Sequence, residues 1–291
     1  MPSSSQQCWS PTVLNDALEL LAQHGEDTTI LAGGTDLMVV MEMGAIKPQK
    51  VLNIWGLNEL RNIHEDNEQI VIGSLTTYTE IIQSTLIQTH LPTLVESARL
   101  VGALQIQNRG TLGGNLANAS PAADTPPVLL AAGGSVELTS ISGTRSVDLD
   151  HFFKGYRLID RNPNELLTAI RINKKRANQS DWFCKVGTRQ AQSISKVVMG
   201  ARATWKSDGS LASARIGAGS VAATTVRMPQ TEALFADRNP DSVLETRVKQ
   251  AASSELTPID DVRSTAQYRA AICGNLAARF VRALMVAPEK P

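Results

Sequence analysis

Two diglycine segments, far apart in the chain, carry the residue types and spacings best suited to ligand binding. In the second segment, Gly113 and Gly114 follow Thr111, and the short polar side chains of Ser120 and Asp124 come soon after. Glycine allows positive φ and close approach of another group, and successive exposed N–H groups form an anion-binding nest. These residues suit a ligand that carries phosphate and hydroxyl groups. A tight loop that caps its own neighbours is the alternative.

The first diglycine segment, Gly33 and Gly34, lies between two apolar runs. We expect a short buried strand, a turn and then a helix, with Thr35 or Asp36 at the N-cap position, where free N–H groups favour anions. No Gly-Lys-Ser/Thr follows, so the segment is not a P-loop, and it lacks the Gly-x-Gly-x-x-Gly dinucleotide fingerprint. Two unrelated diglycine turns instead indicate one extended ligand held from two sides.

Residues that support metal or nucleophilic chemistry are few and scattered. Cys8, Cys184 and Cys273 show no Cys-x-x-Cys spacing, which argues against a disulfide framework and a structural zinc site. The four histidines are equally dispersed, and no His–Asp or Cys–His constellation suggests nucleophilic catalysis. The sequence therefore predicts neither a metal site nor catalytic residues in this chain.

Charge and hydropathy exclude several classes of partner. The 28 basic residues balance 28 acidic ones, so no general field favours nucleic acid or an anionic membrane. No apolar run approaches the roughly 20 residues that a membrane helix needs. The first ten residues are polar and lack a signal-peptide core, so a cytoplasmic location is expected. At 291 residues the chain is long for one core, and we expect two or three compact units.

The elements that position the first diglycine segment form a small α/β lobe over about residues 1–57. Apolar residues at helical spacing predict a helix within residues 11–21. Residues 39–43 continue the second apolar run as a short helix. Residues 51–54 predict a strand that pairs near Ile30.

A second α/β lobe, over about residues 58–176, surrounds the other diglycine segment. The predicted helices lie at residues 77–82, 91–101 and 126–131, and the predicted strands at residues 68–74, 135–139, 144–149 and 165–172. Ser142 and Gly143 form the turn of a hairpin between two of these strands. Residues 109–125 are expected to be the ligand-holding loop.

A polar segment at residues 174–180 lacks core residues and predicts a domain boundary after residue 176. Beyond it, residues 201–205 and 211–219 predict a hairpin, and helices are predicted at residues 230–234, 243–256 and 266–284. We therefore expect a C-terminal α/β domain of strands followed by helices over residues 177–291.

The sequence resembles the FAD-binding medium subunit of molybdenum hydroxylases, the xanthine dehydrogenase and carbon monoxide dehydrogenase family. The resemblance extends over nearly the whole chain and is carried by Ala32-Gly33-Gly34-Thr35-Asp36, Thr111-Leu112-Gly113-Gly114-Asn115 and Ser120-Pro121-Ala122-Ala123-Asp124. It implies an α+β fold, in which a two-lobed α/β FAD-binding domain of the vanillyl-alcohol-oxidase/PCMH-like type precedes a smaller C-terminal α/β domain.

The resemblance also implies roles for individual residues. Backbone groups of residues 31–36 and of the second diglycine turn would hold the FAD pyrophosphate, and Thr111 and Asn115 would bond to phosphate or ribityl oxygens. Asp124 would accept a hydrogen bond from a ribose or ribityl hydroxyl, as an ionised carboxylate with no competing cation nearby. Capping the following helix is the alternative for Asp124. The implied cofactor-binding residues are Leu31, Ala32, Gly33, Gly34, Thr35, Asp36, Thr111, Gly113, Gly114, Asn115, Ser120, Asp124, Leu167 and Lys185.

Other positions bear on the flavin ring and on the electron acceptor. Leu167 matches a position that meets the adenine or flavin, and Lys185 matches a basic position before the flavin-bordering loop. A strand core residue and a solvated lysine are the respective alternatives. Val101 replaces an aromatic of some relatives, and Tyr156 is either its substitute or a surface residue. The loop at residues 187–196 is less acidic than in NAD-using eukaryotic relatives, so NAD, oxygen and a quinone-linked carrier all remain open as acceptors.

The implied function is electron transfer within a larger complex. Substrate would be hydroxylated at a molybdenum cofactor on a large subunit, and electrons would pass through two [2Fe–2S] clusters on a small subunit to FAD on this chain. The expected assembly is a dimer of heterotrimers. Two alternatives stay open: a stand-alone FAD-dependent oxidase with substrate bound by the C-terminal domain, and a non-enzymatic nucleotide-binding scaffold.

Overall fold

The computed structural model describes residues 6–189 and 192–286, which form three main β-sheets accompanied by helices. Three separate clusters of buried apolar residues accompany these sheets. In the two described ranges, no helix is long and apolar enough to cross a membrane.

The first lobe is built around a three-stranded parallel sheet. Its elements are β1 (Gln7–Trp9), α1 (Leu14–His24), β2 (Thr28–Leu31), α2 (Leu37–Glu42) and β3 (Lys50–Asn53). The strand order is β1-β3-β2. In α1, Ala17, Leu18 and Leu21 recur at helical spacing and are buried in one cluster with Leu52 of β3. The predicted pairing is confirmed, since Ile30 lies in register with Leu52.

The second lobe contains a five-stranded antiparallel sheet covered by short helices. Its elements are β4 (Ile63–Asp66), β5 (Gln69–Gly73), α3 (Tyr78–Gln83), α4 (Thr85–His90), α5 (Pro92–Arg99), α6 (Leu104–Gln107), α7 (Leu112–Asn118), α8 (Pro126–Ala132), β6 (Gly134–Ser140), β7 (Gly143–Asp148), α9 (Leu149–Phe152), β8 (Phe153–Gly155), β9 (Leu158–Ile159) and β10 (Leu166–Asn173). The strand order is β4-β5-β10-β6-β7. The predicted hairpin is confirmed as β6 and β7, and Thr77 caps α3 in a reciprocal capping box with Glu80.

The segment at residues 109–125 is not the single loop that the sequence predicts. Residues Leu112–Asn118 form helix α7, with Thr111 as its N-cap and Ala119 in the left-handed conformation at its end. Glycine has low helix propensity, which is why the Gly113 and Gly114 pair favours a turn on local grounds. Tertiary contacts, described below, override that preference.

The C-terminal domain is a four-stranded antiparallel sheet with two long helices. Its elements are β11 (Gln179–Val186), β12 (Val197–Trp205), β13 (Leu211–Gly219), β14 (Val226–Arg227), α10 (Pro229–Glu232), α11 (Ser242–Ser254) and α12 (Ala266–Met285). Three short 3-10 turns complete the described chain, at Gly25–Asp27, Asn58–Leu60 and Ala233–Phe235. The strand order is β11-β12-β13-β14, and the predicted hairpin and both long helices are confirmed.

Helix α8 joins the two domains by packing directly on the C-terminal sheet. A Cβ at Gly200 of β12 would lie 2.7 Å from the Cα of Val128, and one at Gly217 of β13 would overlap the Pro127 carbonyl. Only glycine permits this approach. Because α8 starts directly after residues 120–125, the same contact fixes that segment against the C-terminal domain.

Candidate functional site

A cleft of about 1100 Å³ lies between the two lobes and extends to Arg189 and Ser193 of the C-terminal domain. Ligand pockets of about 300–1,000 Å³ enclose most of a drug-sized molecule, so this cleft has room for a large, extended ligand. Both diglycine segments line it. Twelve of the fourteen predicted site residues are in its wall: Ala32, Gly33, Gly34, Thr35, Asp36, Thr111, Gly113, Gly114, Asn115, Ser120, Asp124 and Leu167.

The first diglycine segment presents main-chain N–H groups. Gly34 has φ of +80°, which places the following residues in a sharp turn before α2. Among the described residues, no acceptor is found for the N–H groups of Gly33, Gly34, Thr35 and Asp36. Because unpaired N–H groups at a helix start favour anions, this turn is the part of the cleft wall best suited to phosphate oxygens.

The second diglycine segment differs from the predicted anion nest. The N–H groups of Leu112 and Gly113 donate to the carbonyls of Thr76 and Ser74, at 3.0 and 2.9 Å. The N–H of Gly114 donates to Oγ1 of Thr111 at 3.1 Å. These donors are already paired within the protein, so they form no open nest.

The glycines of α7 are needed for packing. A Cβ at Gly113 would lie 2.5 Å from the Cβ of Ser74, at the end of β5, so any side chain would separate the helix from the sheet. A Cβ at Gly114 would lie 2.8 Å from Oγ1 of Thr111 and 3.8 Å from the Cβ of Ala32, which is an ordinary contact distance. The two diglycine segments therefore lie side by side in the cleft wall, although they are distant in sequence. That they hold one ligand from two sides stays a prediction.

Three polar side chains of the second segment have protein partners. Thr111 accepts from the N–H of Gly114 as the helix N-cap. Oδ1 of Asn115 accepts a hydrogen bond from Oγ1 of Thr125 at 2.7 Å. Oγ of Ser120 accepts from the N–H of Ala122 at 3.3 Å, which shapes the turn that leads to Asp124.

Asp124 is bound by two groups of the C-terminal domain. Its Oδ2 accepts a hydrogen bond of 2.6 Å from Nζ of Lys185, and its Oδ1 accepts one from Oγ of Ser195. Burial raises the pKa of Asp124 above its ordinary value, and the Lys185 charge and the two hydrogen bonds lower it in part. The prediction of a carboxylate without a nearby cation is wrong. The alternative, a cap of α8, is wrong as well, because the N-cap residue is Thr125.

The remaining predicted residues lie at different depths. Leu167 of β10 is buried and lines the cleft, whereas Leu31 and Lys185 are not in the cleft wall. Nζ of Lys185 is connected to the cleft through Asp124 and through the carbonyl of Leu100, at 3.3 Å, both of which line it. Val101 lines the cleft, while Tyr156 is 68% exposed and lies outside it.

Sequence reasoning missed several residues of the cleft wall, among them Tyr78 and Arg157. Tyr78 is buried, and burial together with the Asp124 charge raises its pKa. Nη1 of Arg157 donates to Oδ1 of Asn118 at 2.9 Å and lies 3.9 Å from Oδ2 of Asp36. Tyr78 begins α3, and Arg157 lies between β8 and β9. Both are distant from the diglycine segments in sequence, and no local sequence pattern identifies them.

Metal ligands are not clustered in the described part of the chain. No group of three His, Cys, Asp or Glu side chains there could hold a metal ion. The cleft therefore combines unpaired N–H donors, hydroxyls, apolar walls and one buried carboxylate, a donor set suited to a large organic phosphate.

Comparison with protein families assigns both parts of the chain. A model described as the FAD binding domain in molybdopterin dehydrogenase matches residues 4–174. A model described as the CO dehydrogenase flavoprotein C-terminal domain matches residues 182–284. Together the two models match almost the whole chain, in the order expected from the sequence.

Individual proteins resemble the chain over nearly its full length. It is 32% identical over 275 residues to the caffeine dehydrogenase subunit beta of Pseudomonas sp. (strain CBB1), covering 93% of this chain and 92% of that protein. It is 29% identical over 285 residues to the carbon monoxide dehydrogenase medium chain of Hydrogenophaga pseudoflava, covering 94% and 95%. A chain of the reconstituted CO dehydrogenase from Oligotropha carboxidovorans superposes with a TM-score of 0.92 at 29% identity, covering 99% of this chain and 100% of that one.

Proposed function

Since the chain belongs to the FAD-binding medium subunits of the xanthine dehydrogenase and carbon monoxide dehydrogenase family, an oxidoreductase component, we propose that it carries electrons from a partner subunit to an external acceptor. In this proposal, the cleft would hold FAD, and the bound FAD would supply the redox chemistry that links the [2Fe–2S] clusters of a small partner subunit to an external acceptor. The main observation in support of this proposal is that both diglycine segments of an FAD-binding domain line the same cleft.

The residues of the cleft fit FAD. The unpaired N–H groups of Gly33 to Asp36 suit its diphosphate, and the cleft volume suits its length. Oγ of Ser74 is buried in the cleft wall without a hydrogen-bond partner among the described residues. Because buried polar atoms are normally paired, an orphaned hydroxyl here is consistent with a ligand atom as its partner.

Each group of residues then has a defined task. The first diglycine turn binds the diphosphate, and Gly113 and Gly114 let α7 pack closely against Ser74 and Ala32 beside that turn. Asp124, which Lys185 holds in place, accepts a hydrogen bond from a hydroxyl of the ligand. The apolar side chains of Leu167 and Val101 exclude water from the ring system of the cofactor. When bound, FAD supplies the redox chemistry, so the chain needs no catalytic acid, base or nucleophile.

The assembly and acceptor follow from the same proposal. The medium chains among its relatives belong to multi-subunit enzymes, so we place a large molybdenum subunit and a small iron–sulfur subunit beside this chain, as a dimer of heterotrimers. The proposed domain division is at residue 176, shortly before β11 begins at Gln179. The proposed location is the cytoplasm, and the acceptor is NAD, oxygen or a quinone-linked carrier.

Anaerobic mixing tests the electron path. The flavin-loaded chain is combined with its small partner subunit, which has been reduced beforehand with dithionite and freed from excess reductant. We expect the flavin absorbance at about 450 nm to bleach on mixing. A chain that stays oxidised, yet turns over an organic substrate by itself, would establish the stand-alone oxidase instead.

A further inference from the structure

Asp124 belongs to the FAD-binding domain, but both of its carboxylate oxygens are held by residues of the C-terminal domain. Lys185 of β11 holds Oδ2, and Ser195, in the loop before β12, holds Oδ1. Ser195 is almost completely buried. The orientation of this carboxylate therefore depends on where the C-terminal domain places the Ser195 hydroxyl.

Ser220 fixes the backbone on both sides of this contact. Its Oγ donates to the carbonyl of Ser195 at 2.9 Å, and its N–H donates to the carbonyl of Pro121 at 2.7 Å. Ser220 has φ of +65°, an uncommon value for a residue with a side chain. The same residue thus holds the loop that carries Ser195 and the segment that carries Asp124.

Arg269, in the first turn of α12, holds Ser220 in turn. Its Nη1 donates to the carbonyls of Ser220 and Lys196 at 2.9 and 2.7 Å, and its Nη2 donates to Oδ1 of Asp261 at 2.7 Å. The side chain is only 4% exposed. A planar guanidinium can serve three acceptors in fixed directions, which the single ammonium of lysine cannot reproduce.

We propose that Arg269 is a positioning residue for the flavin site, which acts through Ser220 and Ser195 on the carboxylate of Asp124. By fixing two carbonyls at the base of the loop, it keeps the Ser195 hydroxyl on Oδ1 and leaves the carboxylate ready to accept from the cofactor. The inference rests on the proposed function, because that function places Asp124 at FAD. It assigns to the C-terminal domain a share of the affinity for FAD.

A double-mutant cycle on the full chain tests this connection. FAD is removed, and the dissociation constant for added FAD is measured by flavin fluorescence for wild type, Arg269→Met, Ser195→Ala and the double variant. We expect Arg269→Met to raise the dissociation constant about tenfold in the wild-type background and less than about twofold in the Ser195→Ala background, because coupled residues are not additive. Arg269→Lys should recover part of the affinity.

Arg202→Met is the matched control. Arg202 is also 4% exposed, is paired with Asp181 and reaches the carbonyls of Ala132 and Asn173 at the domain contact. The Arg202→Met variant should have a lower midpoint of thermal unfolding than wild type, but its FAD dissociation constant should change by no more than about twofold. Equal loss of FAD affinity in the Arg269 and Arg202 variants would overturn the inference, because a general loss of stability would then explain both results.

Two further results keep the outcome decisive. If Arg269→Met yields no folded protein, Ser220→Ala replaces it in the cycle, since this change removes only the hydroxyl on the Ser195 carbonyl. Additive effects of Arg269→Met and Ser195→Ala would overturn the inference. In that case, the Asn115→Ala, Asp124→Ala double variant tells the two proposals apart in the same assay. If this variant does not bind FAD, the proposed FAD site is retained and only the positioning role of Arg269 is rejected. If this variant binds FAD, the proposed FAD site is rejected as well.

Discussion

Nζ of Lys185 lies 2.6 Å from Oδ2 of Asp124, so an ion pair between two domains supports the wall of the cleft. The side chains are only 3% and 11% exposed. Taking both charges out of water is costly, and the pair is stabilising only while both partners are present. The pair therefore makes the cleft wall, where we propose that FAD binds, sensitive to how the two domains pack.

Lys185→Met should destabilise the chain by about 3–5 kcal/mol, because it leaves the Asp124 carboxylate buried without a cation. Adding Asp124→Asn should restore most of this loss, since the uncompensated charge is then gone. Urea unfolding of the FAD-free chain measures both. Equal unfolding midpoints for Lys185→Met and wild type would contradict the role of the pair.

The stability loss in Lys185→Met should depend on pH. The pKa of Asp124 is already raised by burial, and removing Lys185 removes an opposing effect, so the folded state binds a proton more readily than the unfolded state. Stability then falls as pH rises above the ordinary aspartate value of about 4. The difference from wild type should shrink as the pH is lowered toward that value, as urea unfolding at several pH values would measure. A constant difference would point to lost packing instead.

Gly33→Ala should disrupt the first diglycine turn, because the new Cβ would overlap the carbonyl of Arg109. Backbone has to move, at a cost of at least about 2 kcal/mol, and FAD affinity should fall with it. Gly155→Ala is the control, since its Cβ would meet its nearest atom, the Cβ of Leu158, at 3.9 Å. Thermal melting and flavin titration compare the two. Similar behaviour of both variants would show that the turn has room to spare.

Asn115→Ala combined with Asp124→Ala should give protein without flavin that is folded but less stable, because Lys185 is left buried without its anion. Each lost hydrogen bond costs roughly 1 kcal/mol, and more where a charge takes part, which is enough to empty a moderately tight site. The exposed pair Asn15→Ala with Asp16→Ala on α1 is the control and should retain FAD. The visible spectrum and far-ultraviolet circular dichroism of the purified variants decide between loss of cofactor and loss of fold.

Cys273 should resist alkylation until the chain unfolds. Burial and the nearby Glu255 raise the pKa of its thiol to about 12, so the reactive thiolate is rare at neutral pH. Cys8 is exposed and should react in the native state. Iodoacetamide labelling followed by mass analysis, with and without urea, measures this. Rapid labelling of Cys273 in the native chain would mean that the packing of α12 opens readily.

The local pattern of the sequence predicted most regular elements. Helix α12 and the β6–β7 hairpin follow from apolar periodicity and a Ser-Gly turn, both of which are encoded by neighbours in the chain. The family identified from the three short segments is confirmed by both family models. Both diglycine segments, which the sequence predicted to hold one extended ligand, line the same cleft, and the shared ligand stays a prediction.

Only the tertiary structure shows which groups Gly113, Asp124 and Lys185 contact, and therefore why the chain needs them. Gly113 faces Ser74 of β5 and so belongs to a helix, although its sequence favours a turn. Asp124 and Lys185 are 61 residues apart, and the pairing of their charges depends on the contact of α8 with the C-terminal sheet. Residue types and spacing are local properties that a sequence displays directly. Which donor is already paired, and which carboxylate has a cation beside it, depends on long-range packing and so became visible only in the folded chain.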